Sequence, residues 1–243
     1  MSGLTAFGGA VEAVFLDVGG VFHLPAPEVI GPALRRSGLA GPLDVAVLDR
    51  AHYAGARALE VWPKGDVEVG IWAAYERAYA LECGVAAERL EEAIAELDVA
   101  FAEQGVWSRP VPGALDGLRA LAATGVALAI VSNSDGTLEE RLCREGICQV
   151  GPGAGVPMAI VVDSDAVGVA KPDPAIFHLA LEATGIAPDR ALHVGDTVGA
   201  DVEGALAAGV RPVHLDPYGF CTDRTHPHIA DLTMLVAALS AGS

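Results

Sequence analysis

Five short runs of apolar, β-favouring residues recur along the chain, and several of them end abruptly in small or charged residues. They cover residues 13–16, 126–131, 158–162, 191–194 and 212–215, with helical patterns between them at 114–123, 138–145, 175–184 and 202–208. Strands alternating with helices at this spacing predict an α/β fold, a Rossmann-like parallel sheet with helices on both faces. Strands covered on both faces read as unbroken apolar runs, which accounts for a hydrophobic content of 52%. No window approaches the roughly 18 to 20 uninterrupted apolar residues of a membrane span. Sheets of this kind bind ligands at the carboxyl ends of their strands, so the polar residues there are the candidates for function.

One interval breaks the alternation. From His23 to Ser108 no convincing strand is visible, only helical stretches, clearest at 68–83 and 88–103, separated by Pro and Gly. A block of that length far exceeds an ordinary crossover connection. The expected organisation is a core made of residues 1–22 and 109–243, with an inserted all-helical domain at 23–108. Of the aromatic residues in the insert, Trp62, Trp72, Tyr75 and Tyr79 are read as its own core rather than as the lining of a cleft.

The formal net charge is −17. Such a chain cannot neutralise a run of backbone phosphates, which argues against nucleic acid as a partner, and it is repelled by an anionic membrane. For a small anionic substrate it calls for a bound divalent cation. Surface carboxylates that keep an Ala-rich chain in solution account for most of the charge. The first ten residues carry neither a basic stretch nor an apolar helix, so no secretion signal is read there and the cytoplasm is the expected location. Cys83, Cys143, Cys148 and Cys221 form no CxxC pair and no cluster with metal-ligand spacing, and they are read as reduced structural thiols.

Four sites at strand ends or helix starts carry candidate chemistry. The first run leads into Asp17-Val18-Gly19-Gly20, a carboxylate at the sheet edge beside glycines that let a ligand approach the backbone. The second ends in Ser132-Asn133, whose hydroxyl and amide suit an anionic oxygen, although both are also ordinary turn formers. Thr137 to Glu140 then fits a helix capping box. Lys171 precedes Pro172-Asp173-Pro174, with Asp173 as N-cap and Pro174 at the first helical position. The fourth run leads into Gly195-Asp196, and Asp201 follows five residues later; two such carboxylates can converge on one hard cation.

In that order the four resemble the motifs of the haloacid-dehalogenase-like superfamily, over nearly the whole chain. The resemblance implies a phosphatase-type member with a helical cap inserted after the first motif, acting on a small phosphorylated metabolite. It implies Asp17 as the nucleophile that becomes an aspartyl-phosphate, and Ser132 and Asn133 as donors to the phosphoryl oxygens. Lys171 is implied as the cation that offsets the crowded carboxylates and holds phosphate. The implied Mg2+ site consists of Asp17, the Gly19 carbonyl, Asp196 and Asp201, the last either holding metal-bound water or positioning Lys171. A carboxylate can attack an anionic phosphorus when cations screen it, and splitting the transfer into two steps leaves water an easier target.

The sequence departs from the family pattern at one position. Most of its phosphatases carry a second Asp two residues after the nucleophile, which protonates the leaving oxygen; here that residue is Gly19. His23 is the nearest titratable side chain in sequence and the candidate substitute. Two further readings follow from this departure: a metal-independent haloacid-dehalogenase-type hydrolase, which needs no leaving-group acid, and a non-catalytic protein that binds a phospho-ligand or a partner. Neither the particular substrate nor the oligomeric state is encoded in any motif.

Overall fold

The computed structural model describes residues 9–59 and 68–241. Residues 1–8 and Trp62 lie outside the described residues, and with them most of the segment on which the reading of the N-terminus rested. Strand β1 (Ala13–Leu16) is followed by β2 (His23–Pro25) and by helices α1 (Pro27–Arg36), α2 (Val45–Ala58), α3 (Glu68–Glu82) and α4 (Leu90–Phe101). The chain then forms β3 (Trp107–Pro110), α5 (Ala114–Ala122), β4 (Ala127–Ser132), α6 (Leu138–Arg144), β5 (Cys148–Val150) and β6 (Val156–Met158). It continues through β7 (Val161–Asp163), α7 (Ser164–Val167), α8 (Pro174–Thr184), β8 (Ala191–Gly195) and α9 (Glu203–Ala207). It closes with β9 (Arg211–Leu215), β10 (His228–Ile229) and α10 (Leu232–Ser240).

The main sheet has the order β10-β9-β8-β1-β4-β7, with every neighbouring pair parallel. Side chains alternate across a strand, so each central strand feeds two cores. Val14 and Leu16 of β1, with Leu128 and Ile130 of β4, pack on the face that also takes Leu118, Leu121 and Leu235. Ala13 and Phe15, with Ala129 and Val131, face Ile176, Phe177 and Ala205. Burying a Leu- or Phe-sized side chain contributes roughly 1.5 to 3 kcal/mol, so the two faces together fix β1 in the middle of the sheet. That position delivers Asp17 to the centre of the carboxyl edge.

Helices α1 to α4 bury a third cluster of their own, including Ile30, Leu34, Leu48, Tyr75, Tyr79 and Leu97. Tyr79 is a core residue, as expected; Tyr75 is buried beside it but also reaches a cleft at the carboxyl edge of the sheet, as does Trp72, which is 44% exposed. The interval is not strand-free. His23–Pro25 pairs antiparallel with Trp107–Pro110 and so closes the insert at both ends. Three- and four-residue strands that each contain a proline leave too little alternation to be read from sequence.

Two further expectations are corrected. The run at 158–162 is two strands: β6 pairs with β5, and β7 joins the edge of the main sheet beside β4. A continuous apolar run conceals that step between ladders. The capping box at Thr137 does not form. The Thr137 hydroxyl donates to Asp135, while the Leu138 N–H at the start of α6 donates to Asp163 at 3.1 Å. Asp173 does cap α8, accepting from the Ala175 N–H at 2.9 Å, with Pro174 opening the helix.

Candidate active site

Asp17, Ser132, Asn133, Lys171 and Asp196 line one cleft of about 430 Å³ at the carboxyl edge of the sheet. Strand order explains the convergence: β1 lies between β4 and β8, so residues that leave these three strands in the same direction become neighbours. Lys171 reaches in from the start of α8. Its Nζ lies 2.8 Å from Asp17 Oδ1 and 2.6 Å from Asp201 Oδ1. All three residues are buried.

Asp201 sits in a π-helical turn, Val198–Val202, between Asp196 and α9. Its Oδ1 also meets His193 Nε2 at 2.9 Å, and its Oδ2 accepts from the Thr197 N–H at 3.0 Å and the Thr197 hydroxyl at 2.6 Å. A carboxylate offers about four acceptor sites, and here all four are engaged. Burial would raise the Asp201 carboxyl, but Lys171 and His193 outweigh it and hold the group well below the usual carboxylate range. Burial likewise opposes the Lys171 charge, yet Asp17 and Asp201 more than compensate, and its ammonium is held more firmly than usual. Burial lowers the His193 imidazole despite its bond to Asp201.

Asp17 behaves differently. Burial first, and then the charges of Asp201 and Asp196, raise its carboxyl to about 6, against the opposing pull of Lys171. Three carboxylates therefore crowd one ammonium, with an oxygen of each within 4.8 Å of the others, and Asp17 and Asp196 keep oxygens that Lys171 and the Thr197 turn do not occupy. This all-oxygen cradle, with more carboxylates than cations, fits a hard divalent cation.

Asn133 does not present its amide to the cleft in the way expected. Its Oδ1 accepts from the Lys171 backbone N–H at 2.8 Å, and its Nδ2 donates to the Lys171 carbonyl at 3.0 Å. It braces the backbone that carries Lys171. Ser132 ends β4, buried, and lines the cleft.

At Gly19 φ is not positive, and a Cβ placed there would have Asp17 Oδ2 as its nearest neighbour, at 4.0 Å. Gly20 is the opposite case. Its φ is +66°, and a Cβ there would lie 2.3 Å from Asp196 Oδ2 and 2.7 Å from His52 Nε2, so only glycine fits.

His23 does not serve the cleft. It is buried, with Nε2 2.7 Å from Glu145 Oε2, and burial lowers its imidazole. The histidine that does reach the cleft is His52, on α2 of the insert. Its Nε2 lies 2.8 Å from Asp196 Oδ2 and its Nδ1 2.9 Å from the Tyr75 hydroxyl. A carboxylate only accepts, so Nε2 carries the proton toward Asp196. Sequence reading missed His52 because nothing near it in the chain marks it; tertiary approach alone brings α2 over β8.

The sequence profile of the haloacid dehalogenase-like hydrolases matches residues 11–209. The chain is 44% identical over 92 residues to a phosphoserine phosphatase from Thermus thermophilus, a stretch that is 38% of this chain and 34% of that protein. It is 41% identical over 110 residues to a phosphoglycolate phosphatase from Rhodospirillum rubrum, covering 45% and 42% of the two chains. The match thus spans less than half the length of either relative. Among solved structures, a HAD-superfamily hydrolase from Ehrlichia chaffeensis superposes with a TM-score of 0.58 at 15% identity, over 96% of this chain and 98% of that one, a likeness of fold. No helix among the described residues is long and apolar enough to cross a membrane. On the span of the profile match, the chain belongs to the haloacid dehalogenase-like hydrolase family.

Proposed function

We propose that this chain is a magnesium-dependent phosphohydrolase that acts on a small phosphorylated metabolite through an aspartyl-phosphate at Asp17. The observation that carries the reading is the buried Asp17–Lys171–Asp201 chain beside Asp196, at 2.8 and 2.6 Å, on a floor with more carboxylates than cations. The names of the two phosphatase relatives support a phosphate monoester as substrate.

Asp17, the Gly19 carbonyl and Asp196 would hold Mg2+, which supplies charge neutralisation at the phosphoryl oxygens. Asp201, with both oxygens engaged, acts by orienting Lys171. Lys171 holds Asp17 Oδ1, leaving Oδ2 to attack phosphorus. The bond from phosphorus to the leaving oxygen breaks, and that oxygen departs with the electron pair. Water then attacks the phosphorus of the aspartyl-phosphate, releasing phosphate and restoring the Asp17 carboxylate. Ser132 donates to a phosphoryl oxygen, and Asn133 contributes by fixing Lys171. We take residues 1–22 and 109–243 as the catalytic core and 23–108 as the cap, which brings His52, Trp72 and Tyr75 to the cleft. Arg141, with Nε buried and unpartnered, also lines the cleft and favours a substrate with negative charge.

A carbon–halogen hydrolase is the second reading, favoured by Gly19, since an Asp17 ester of that kind needs no leaving-group acid. A panel of phosphorylated metabolites and haloacids, assayed with magnesium and after chelation, separates the two. Phosphate release only with magnesium supports the proposal; halide release that survives chelation overturns it.

A further inference from the structure

The connection from β9 to β10 gathers four side chains that the phosphohydrolase reading leaves unused: His214 on β9, Cys221 and His226 in the loop, and His228 on β10. His214, Cys221 and His226 are buried, and one ligand-type atom from each of the four lies within 4.8 Å of the others. His214 Nδ1 is 3.2 Å from His226 Nε2, and Cys221 Sγ is 4.0 Å from the same nitrogen. The His228 ring stacks on His226 with centroids 4.7 Å apart and lies 5.0 Å from His214.

The outward-facing nitrogens indicate where the protons sit. His214 Nε2 is 3.1 Å from the Asp196 carbonyl, which can only accept, so Nε2 carries hydrogen and Nδ1 presents a lone pair to the cluster. His226 Nδ1 faces the Asp223 carboxylate at 3.8 Å, and His228 Nδ1 lies 3.3 Å from both Asp216 Oδ2 and the donor Arg224 Nη1. At His214 and His226 the acceptors favour hydrogen on the outer nitrogen and a lone pair inside, the arrangement found where outer acceptors orient metal-bound histidines. His228 Nε2 is buried with no hydrogen-bond partner among the described residues.

Two inward lone pairs 3.2 Å apart repel unless a cation lies between them. Moving the His226 proton to Nε2 would relieve that contact, but it would turn the Nδ1 lone pair toward Asp223 and still leave His228 Nε2 unpaired. A tetrahedral zinc with N at about 2.0–2.1 Å and S at about 2.3 Å sets its ligands roughly 3.3 Å (N to N) and roughly 3.6 Å (N to S) apart, close to what is observed. We propose that His214, Cys221, His226 and His228 form a tetrahedral Zn2+ site, separate from the carboxylate cradle. Nitrogen and sulfur donors select zinc here as the all-oxygen cradle selects magnesium. Binding replaces the Cys221 thiol proton, which leaves to solvent. Four protein ligands close the coordination shell, so the role is structural: the ion clamps the β9–β10 loop and, through His214 Nε2, steadies the backbone of Asp196.

The test uses the whole chain, purified without chelator. One zinc per chain is expected, retained by Asp17→Asn and lost by Cys221→Ala. Wild-type protein stripped of metal and loaded with Co2+ should show the near-ultraviolet band of a thiolate–cobalt bond together with tetrahedral visible bands. It should also melt several degrees lower without metal than with zinc. The cobalt spectrum of the wild type decides the matter even if Cys221→Ala does not fold. No stoichiometric uptake, a cobalt complex lacking the thiolate band, or zinc that stays in Cys221→Ala but leaves in Asp17→Asn would overturn the site.

Discussion

Position 19 is where a single residue says most about the reaction. Its backbone accepts a side chain, and that side chain would begin 4.0 Å from the Asp17 oxygen assigned to attack. A carboxylic acid there would stand beside the reacting atoms, and glycine provides none. General acid assistance is worth about 10² to 10⁴ in rate. The wild type should therefore prefer acyl, aryl or sugar 1-phosphates steeply over alkyl phosphates, and Gly19→Asp should raise turnover of alkyl phosphates more than that of aryl phosphates. Equal wild-type rates on both classes, with no gain in the variant, would show that another group already delivers the proton. His52 carries a different expectation. It holds Asp196 Oδ2, leaving Oδ1 for the cation, and losses of such orienting contacts typically cost about 10- to 100-fold in metal affinity. His52→Ala should raise the magnesium concentration for half-maximal activity by about that factor while kcat at saturating metal changes little; an unchanged magnesium titration would contradict the assignment. Asp17, Lys171, Asp196 and Asp201 were legible because they stand at strand ends or helix starts, where the sequence itself marks the sheet edge. His52 and the Asn133 brace were not, because each depends on contacts made far along the chain; the Cys221 cluster lies within residues 214–228, but cysteine spacing alone does not reveal it, since three of its four members are histidines.

The elements were legible in proportion to their length and regularity. Strands β1 and β4 carry unbroken apolar runs, β8 and β9 carry short β-favouring runs interrupted by His193 and His214, and α5, α6 and α8 carry helical spacing, so all of them were visible. Two-residue β10, the proline-bearing β2 and β3 and the step between β6 and β7 have no pattern long enough to read. Helix α3 shows what patterning omits. Glu76 lies buried in it, and burial together with the Asp98 charge raises its carboxyl from the usual 4.5 to about 7. A folded value above the unfolded one means stability that is full below the unfolded pKa and is lost as pH rises through about 7. Between pH 5 and pH 8 the wild type should lose on the order of 2 to 3 kcal/mol that Glu76→Gln retains. Urea midpoints for both proteins at the two pH values check this; parallel losses would contradict it.

On the scale of the whole molecule, the insert lines the same cleft as Asp17. His52 on α2 touches Asp196, and the Tyr53 hydroxyl donates to the Gly20 carbonyl at 2.6 Å, so cap and core meet on the residues that would flank the metal. The proposed function would reconcile the chain's acidity with a small anionic substrate there, since a cation held by Asp17 and Asp196 beside Lys171 would turn a negative floor into a phosphate site. The central claim is that Asp17 takes the phosphoryl group with magnesium bound beside it. Rapid acid quench of the enzyme turning over an aryl phosphate, followed by mass spectrometry of the peptide carrying Asp17, tests that claim most directly. The account predicts a phosphoryl adduct on Asp17 that requires magnesium, is absent after chelation, returns with magnesium alone and never forms in Asp17→Asn. Phosphate release that proceeds at full rate with no adduct, or that persists in Asp17→Asn, would contradict it.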